Sequence, residues 1–124
     1  MLVNNCSLIM YNFVLMDIND LTDRMQKLVK EKGWYDSKSL RPQTGKNLAA
    51  SVCIEAAEIL ELFQWQEGPP DNELLAGEIA DVMLYLLQLA NISGIDLEKA
   101  VLSKLELNHH RQWDQDQLQD KGNL

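Results

Sequence analysis

Basic residues are scarce in this chain. Lys and Arg number 11 against 19 Asp and Glu, a formal net charge of −8. That balance argues against a nucleic-acid partner, whose backbone calls for a basic face. It also means that a polyanionic substrate has to be met through cations. Cysteine is nearly absent, with Cys6 and Cys53 alone. Two isolated cysteines are neither a disulfide framework nor a zinc-ligand spacing, and a reducing cytoplasm is the expected compartment. Cys53 falls inside an apolar helical stretch and reads as a small hydrophobe. No Lys or Arg precedes the apolar residues 8–16, so the basic start of a signal peptide is missing, and the run is too short to span a bilayer. No membrane association is expected. Apart from the ambiguous residues 8–15, no strand pattern of any length occurs, and there are no repeats and no low-complexity linker.

What is present is helical. A chain of 124 residues fits one domain. Ile18, Leu21, Met25, Leu28 and Val29 make one apolar stripe, predicting a first helix over about residues 17–32, capped by Asp17 or Asn19 and stopped by Gly33. A turn-rich loop follows over residues 33–46. The second helix is predicted over about 47–66, ended by Gly68-Pro69-Pro70. Asp71 is the natural N-cap of a third helix over about 72–92, with Gly94 beyond its end. Asp96 caps a fourth over about 97–113, whose Leu97, Ala100, Val101 and Leu105 are expected to face inward. The organisation is thus an N-terminal arm (1–16) that packs on the domain or on a second subunit, an all-α four-helix domain (17–113), and a polar, flexible tail (114–124).

The second and third helices carry an energetic oddity. Between Asn47 and Trp65 the only charges are Glu55, Glu58 and Glu61. Between Leu74 and Ala90 they are Glu78 and Asp81. A helix that is apolar nearly all round is normally buried, and a buried carboxylate without a partner costs several kcal/mol. Residues three apart are neighbours on a helix, so Glu55 and Glu58 present two carboxylates to one spot, and Glu78 and Asp81 do the same. A short connection makes the two helices antiparallel neighbours, which lets the four groups converge. Two like charges about 4 Å apart repel by roughly 4 kcal/mol at an effective dielectric of about 20, so such a cluster takes up protons or binds cations. Oxygen-only ligands favour Mg²⁺, Mn²⁺ or Ca²⁺. The competing reading is a pair of solvated helix faces; the pattern favours the cation without deciding the chemistry. No histidine lies three residues after any of these acids, and His109 and His110 stand together near the chain end. That argues against the Glu-x-x-His steps of di-iron bundles.

The Glu55-x-x-Glu58 and Glu78-x-x-Asp81 pairs, with 19 residues between them, resemble the signature of the all-α nucleoside triphosphate pyrophosphohydrolases. Within that superfamily the chain is similar to the MazG-like proteins, and most so to those of dCTP pyrophosphatase type. Gly33-Trp34, Lys46-Asn47-Leu48, Glu61-Leu62-Phe63-Gln64-Trp65, Asp81-Val82, Tyr85-Leu86, Gly94-Ile95-Asp96 and Lys104…Asn108…Arg111 extend the likeness over about residues 18–113.

The resemblance implies a four-helix protomer that assembles into a homodimer or homotetramer. It implies hydrolysis of a (d)NTP, with dCTP as the leading candidate, to the monophosphate and pyrophosphate in nucleotide-pool house-cleaning. Mg²⁺, with Mn²⁺ as a substitute, is the implied cofactor. Glu55, Glu58, Glu78 and Asp81 become its ligands, and Glu61 holds a second ion or orients the attacking water. Trp34 and Trp65 are expected to sandwich the base, although without the resemblance both read as core or interface aromatics. Tyr85, one turn after Asp81, reaches the same pocket. Lys104, Asn108 and Arg111 share a helix face as phosphate or sugar contacts, Lys38 and Lys46 from the loop before the second helix are weaker phosphate candidates, and Asn47 is a further substrate contact. The rival from another class is a non-catalytic helical interaction module.

Overall fold

Four short polar side chains set where the helices begin. In the computed structural model, which describes residues 16–111, Asp17 opens α1 (Ile18–Glu31). Its carboxylate accepts from the backbone N–H of Asn19 and Asp20, while Asp20 reaches back to the Asp17 N–H. This reciprocal box satisfies donors that a helix start otherwise leaves open. Thr44 caps α2 (Gly45–Phe63), accepting from Asn47 N. Asp71 caps α3 (Asn72–Ile92), accepting from Glu73 N and Leu74 N. Asp96 caps α4 (Leu97–His109), accepting from Lys99 N. The stops are equally local: Gly33 and Gly94 take φ of +68° and +66°, the left-handed geometry that glycine adopts without a Cβ penalty.

Two boundaries differ from expectation. α2 starts two residues early because Thr44, rather than a residue of the Lys46-Asn47 pair, supplies the cap. It ends at Phe63 because Trp65 turns to φ +67°. α4 closes at His109 rather than near 113; His110 lies 2.9 Å from Glu106 one turn back. The N-terminal arm and the polar tail lie outside the described residues, as does Cys6.

α2 and α3 pack antiparallel over most of their length, and α1 packs on α3. Gly45, at the start of α2, faces Leu89 near the end of α3. Met25 and Val29 of α1 meet Leu87 of α3 in the core, and Ile18, Trp34, Tyr35, Met83 and Leu97 pack around them. Leu48 is buried as well. α3 is long and apolar enough to cross a membrane by length and composition alone. It is the central helix here, with carboxylates in its first half, which are costly in lipid.

The fourth helix corrects an expectation. Leu97 joins the core, but Val101 and Leu105 are 46 % and 60 % exposed, and Ala100 is exposed too. No described helix packs extensively on α4, so its apolar stripe faces outward within one chain. Cys53 is likewise exposed rather than buried, and Ile54, Leu60 and Ile79 leave apolar area open on α2 and α3.

Candidate functional site

The antiparallel packing of α2 on α3 brings acids from both helices to one place. Glu55, Glu58 and Glu78 each offer a carboxylate oxygen, and these oxygens all lie within 4.8 Å of one another. Glu55 and Glu78 are half-buried and Glu58 is exposed. Oε2 of Glu78 is buried and no protein group hydrogen-bonds to it. Burial raises the Glu55 carboxyl above the ordinary glutamate range, and the charges of Glu58 and Asp81 raise it further. Burial also leads the upward shift of Glu78; close approach to Glu58 and the charges of Glu58, Asp81 and Glu55 add to it. No basic side chain offsets either shift.

Asp81 stands outside the tight triplet but close enough to act on Glu55 and Glu78 electrostatically. A buried carboxylate oxygen without a donor, in an all-oxygen set of like charge, fits a hard divalent cation. Glu61 is exposed and is not among the converging acids.

One cavity reaches the acids at Asp81, and a second shares a wall with it. The first, of about 180 Å³, lies between α1 and α3 and is bordered by Met25, Val29, Trp34, Asp81, Tyr85 and Gln88 among others. The second, of about 360 Å³, lies between the loop after α1 and the start of α2, bordered by Arg41, Gln43, Asn47, Ser51 and Ile54 among others. Tyr85 lines both. Asp81 thus connects the acids to an aromatic-walled cavity, and Trp34, fixed beside the core by the Gly33 turn, supplies one face of it.

The expected contact residues divide accordingly. Trp34, Tyr85 and Asn47 line the cavities, and Asn47 Nδ2 also donates to the Pro42 carbonyl at 2.8 Å. Lys46 is exposed at the start of α2, and Lys38 is exposed in the preceding loop. Trp65 is 94 % exposed and lines neither cavity, so one protomer does not pair it with Trp34 around a base. Lys104, Asn108 and Arg111 lie on or just beyond the outward helix α4 and border neither cavity. Their shared face was readable from spacing; the direction in which α4 leaves the bundle was not. The loop residues Arg41 and Gln43 were missed because nothing in a turn-rich segment marks which residue points inward. Gln88 was missed although it continues the stripe Glu78, Asp81, Tyr85 at the next three-residue step.

Comparison with known proteins identifies the family. The MazG-like family matches residues 50–123. Human dCTP pyrophosphatase 1 is 36 % identical over 75 residues, covering 53 % of this chain and 44 % of that protein; the rat protein of the same name is 35 % identical over 75 residues. The chain therefore spans less than half the length of these curated relatives. A dATP/dGTP diphosphohydrolase of Salmonella phage PMBT28 is 33 % identical over 89 residues, covering 72 % of this chain and 27 % of that protein. In structure, a pyrophosphatase from Archaeoglobus fulgidus DSM 4304 superposes with a TM-score of 0.60 at 37 % identity, covering 73 % of this chain and 87 % of the other. With the family matching residues 50–123 of an all-α chain, the chain belongs to the MazG-like family.

Proposed function

We propose that this chain is a metal-dependent nucleoside triphosphate pyrophosphohydrolase that converts a dNTP to its monophosphate and pyrophosphate. The observation that carries the reading is the meeting of Glu55, Glu58 and Glu78 oxygens within 4.8 Å, with Glu78 Oε2 buried and unpaired, beside a cavity walled by Trp34 and Tyr85. The relatives' activities by name, on dCTP and on dATP and dGTP, support the substrate class. House-cleaning of the cytoplasmic nucleotide pool is the role such a reaction serves.

In the net reaction water adds at the α-phosphorus, the bond from that phosphorus to the bridging oxygen breaks, and pyrophosphate leaves. A hard divalent cation, Mg²⁺ by the donor set, supplies charge neutralisation, phosphate orientation and a more acidic water when bound. Glu55, Glu58 and Glu78 would hold it, with Asp81 completing the set from the cavity side. Glu61, one turn further along α2, would orient the water or hold a second ion. Arg41 beside the larger cavity and Lys46 at the start of α2 are exposed cations that would meet the substrate through charge-assisted hydrogen bonds. Trp34 and Tyr85 offer faces on which a base stacks.

Self-association belongs to the same reading. The outward apolar residues of α4, with those left open on α2 and α3, make a surface that a second copy of the chain covers. A homodimer or homotetramer built through α4 would carry Lys104 and Asn108 towards another protomer's site. The reading is tested by pyrophosphate release from dNTPs with Mg²⁺, run beside Glu58→Ala. Parent and variant with equal activity would remove Glu58 from the site.

A further inference from the structure

Gln88 is the buried polar residue among the described side chains, 3 % exposed. Such a position is costly for an amide unless its hydrogen bonds are met, so the partners decide what it does. Gln88 Nε2 donates to Gln43 Oε1 at 2.6 Å, and Gln43 Nε2 donates to the Arg41 carbonyl oxygen at 2.8 Å. A backbone carbonyl only accepts. That fixes the direction of the whole relay: the amino end of Gln43 faces Arg41, its oxygen faces Gln88, and the amino end of Gln88 is used on Gln43. Oε1 of Gln88 takes no part in that relay, and the space the residue borders is the cavity it shares with Trp34, Asp81 and Tyr85.

The placement relative to the acids supplies a ruler. Glu78, Asp81, Tyr85 and Gln88 follow at steps of three, four and three on α3, one stripe of one helix. From Asp81 to Gln88 the helix rises by about 10 Å. A phosphate-holding end and a hydrogen-bond acceptor are therefore separated by roughly the span from the phosphates of a nucleotide to the far edge of its base, with aromatic walls between.

Resting on the pyrophosphohydrolase reading, we infer that Gln88, held in one orientation by the Gln43–Arg41 relay, selects bases that carry an amino group at pyrimidine C4 or purine C6. Cytosine and adenine present an N–H donor there, whereas uracil, thymine, guanine and hypoxanthine present a carbonyl. A donor pairs with the Gln88 oxygen that the relay leaves unused; a carbonyl sets acceptor against acceptor in a cavity with few other polar atoms. Gln43 is a positioning residue in this scheme, because without it the Gln88 amide is free to turn its amino end inward and accept either class.

The test uses two substrate pairs that differ at that one edge, dCTP against dUTP and dATP against dITP, with Mg²⁺. Pyrophosphate release by the parent is expected to favour the amino member of each pair in kcat/KM by on the order of tenfold or more. In Gln88→Met and in Gln43→Ala both ratios are expected to fall towards one, while the rise in melting temperature on adding Mg²⁺ alone is retained. Gln43 lies in a loop, so Gln43→Ala carries the test if Gln88→Met does not fold. Ratios near one or inverted in the parent, or ratios unchanged in either folded variant, overturn this inference and leave the pyrophosphohydrolase reading standing. Release of pyrophosphate from none of the four substrates overturns that reading and this inference together.

Discussion

Glu55 and Glu78 reach the same point from different helices: a carboxylate oxygen of one lies within 4.8 Å of a carboxylate oxygen of the other, and Glu58 joins both. Their identities and spacings were visible in the chain, but their meeting depends on the antiparallel docking of α2 on α3. Both carboxyls are raised above their ordinary range, through burial first, followed by the charge of Glu58 for Glu55 and the hydrogen bond with Glu58 for Glu78.

Stability without metal should therefore fall as pH rises just above the ordinary glutamate range. With folded values raised, the native state binds more protons than the unfolded state in that window, so the stabilisation present at lower pH is lost as pH climbs through the raised values. Thermal melting in EDTA is expected to give a lower Tm at pH 7.5 than at pH 5.5. Glu78→Gln should flatten the slope. A parent profile that rises over this window, or a slope Glu78→Gln leaves intact, would contradict the shifts.

Removing one acid should separate function from stability. Glu58→Ala is expected to lower pyrophosphate release by on the order of 100-fold or more, the scale of losing one preorganised electrostatic contact. Because Glu58 is exposed and repels Glu55 and Glu78, the metal-free variant should melt no lower than the parent. Circular dichroism and a coupled phosphate assay on the same preparation check both halves.

Gly33 is a second, independent test of how the cavity is built. Its φ is +68°, and a Cβ there would stand 2.8 Å from Asp36 Oδ2. Gly33→Ala should cost about 1–2 kcal/mol from the left-handed backbone and shift Trp34 at the cavity wall, raising KM more than it lowers kcat. Denaturant melting and steady-state kinetics measure the two effects, and an unchanged KM would detach Trp34 from substrate.

Helix starts were legible in the chain because Asp17, Asp71 and Asp96 each stand before an apolar run and act locally. The acid pairs were legible because charge is so rare on α2 and α3. The outward course of α4 was not, since periodicity shows that Val101 and Leu105 share a stripe but not whether anything in the same chain opposes it. Trp65 followed the same pattern: its type suggested stacking, while with a left-handed backbone at the end of α2 it stands exposed and outside both cavities. Gln88 was hidden for another reason, because a lone amide on an apolar helix announces neither its partner nor the space it faces.

Exposure of α4 gives a direct expectation about assembly. Leu102 and Leu105, 59 % and 60 % exposed, sit three residues apart on one helix. The double substitution Leu102→Glu, Leu105→Glu should shift the protein to monomer in sedimentation velocity, with helical content preserved and pyrophosphate release reduced. A parent that already sediments as a monomer at micromolar concentration would remove the second copy from the site.

The most direct measurement of the central claim is product analysis of dCTP hydrolysis in the presence of Mg²⁺ and then of EDTA. The expected result is dCMP and pyrophosphate in equal amounts with Mg²⁺ and no turnover in EDTA. Orthophosphate with dCDP, turnover that survives EDTA, or no hydrolysis of any dNTP would contradict a cation held by Glu55, Glu58 and Glu78 at the heart of a pyrophosphohydrolase.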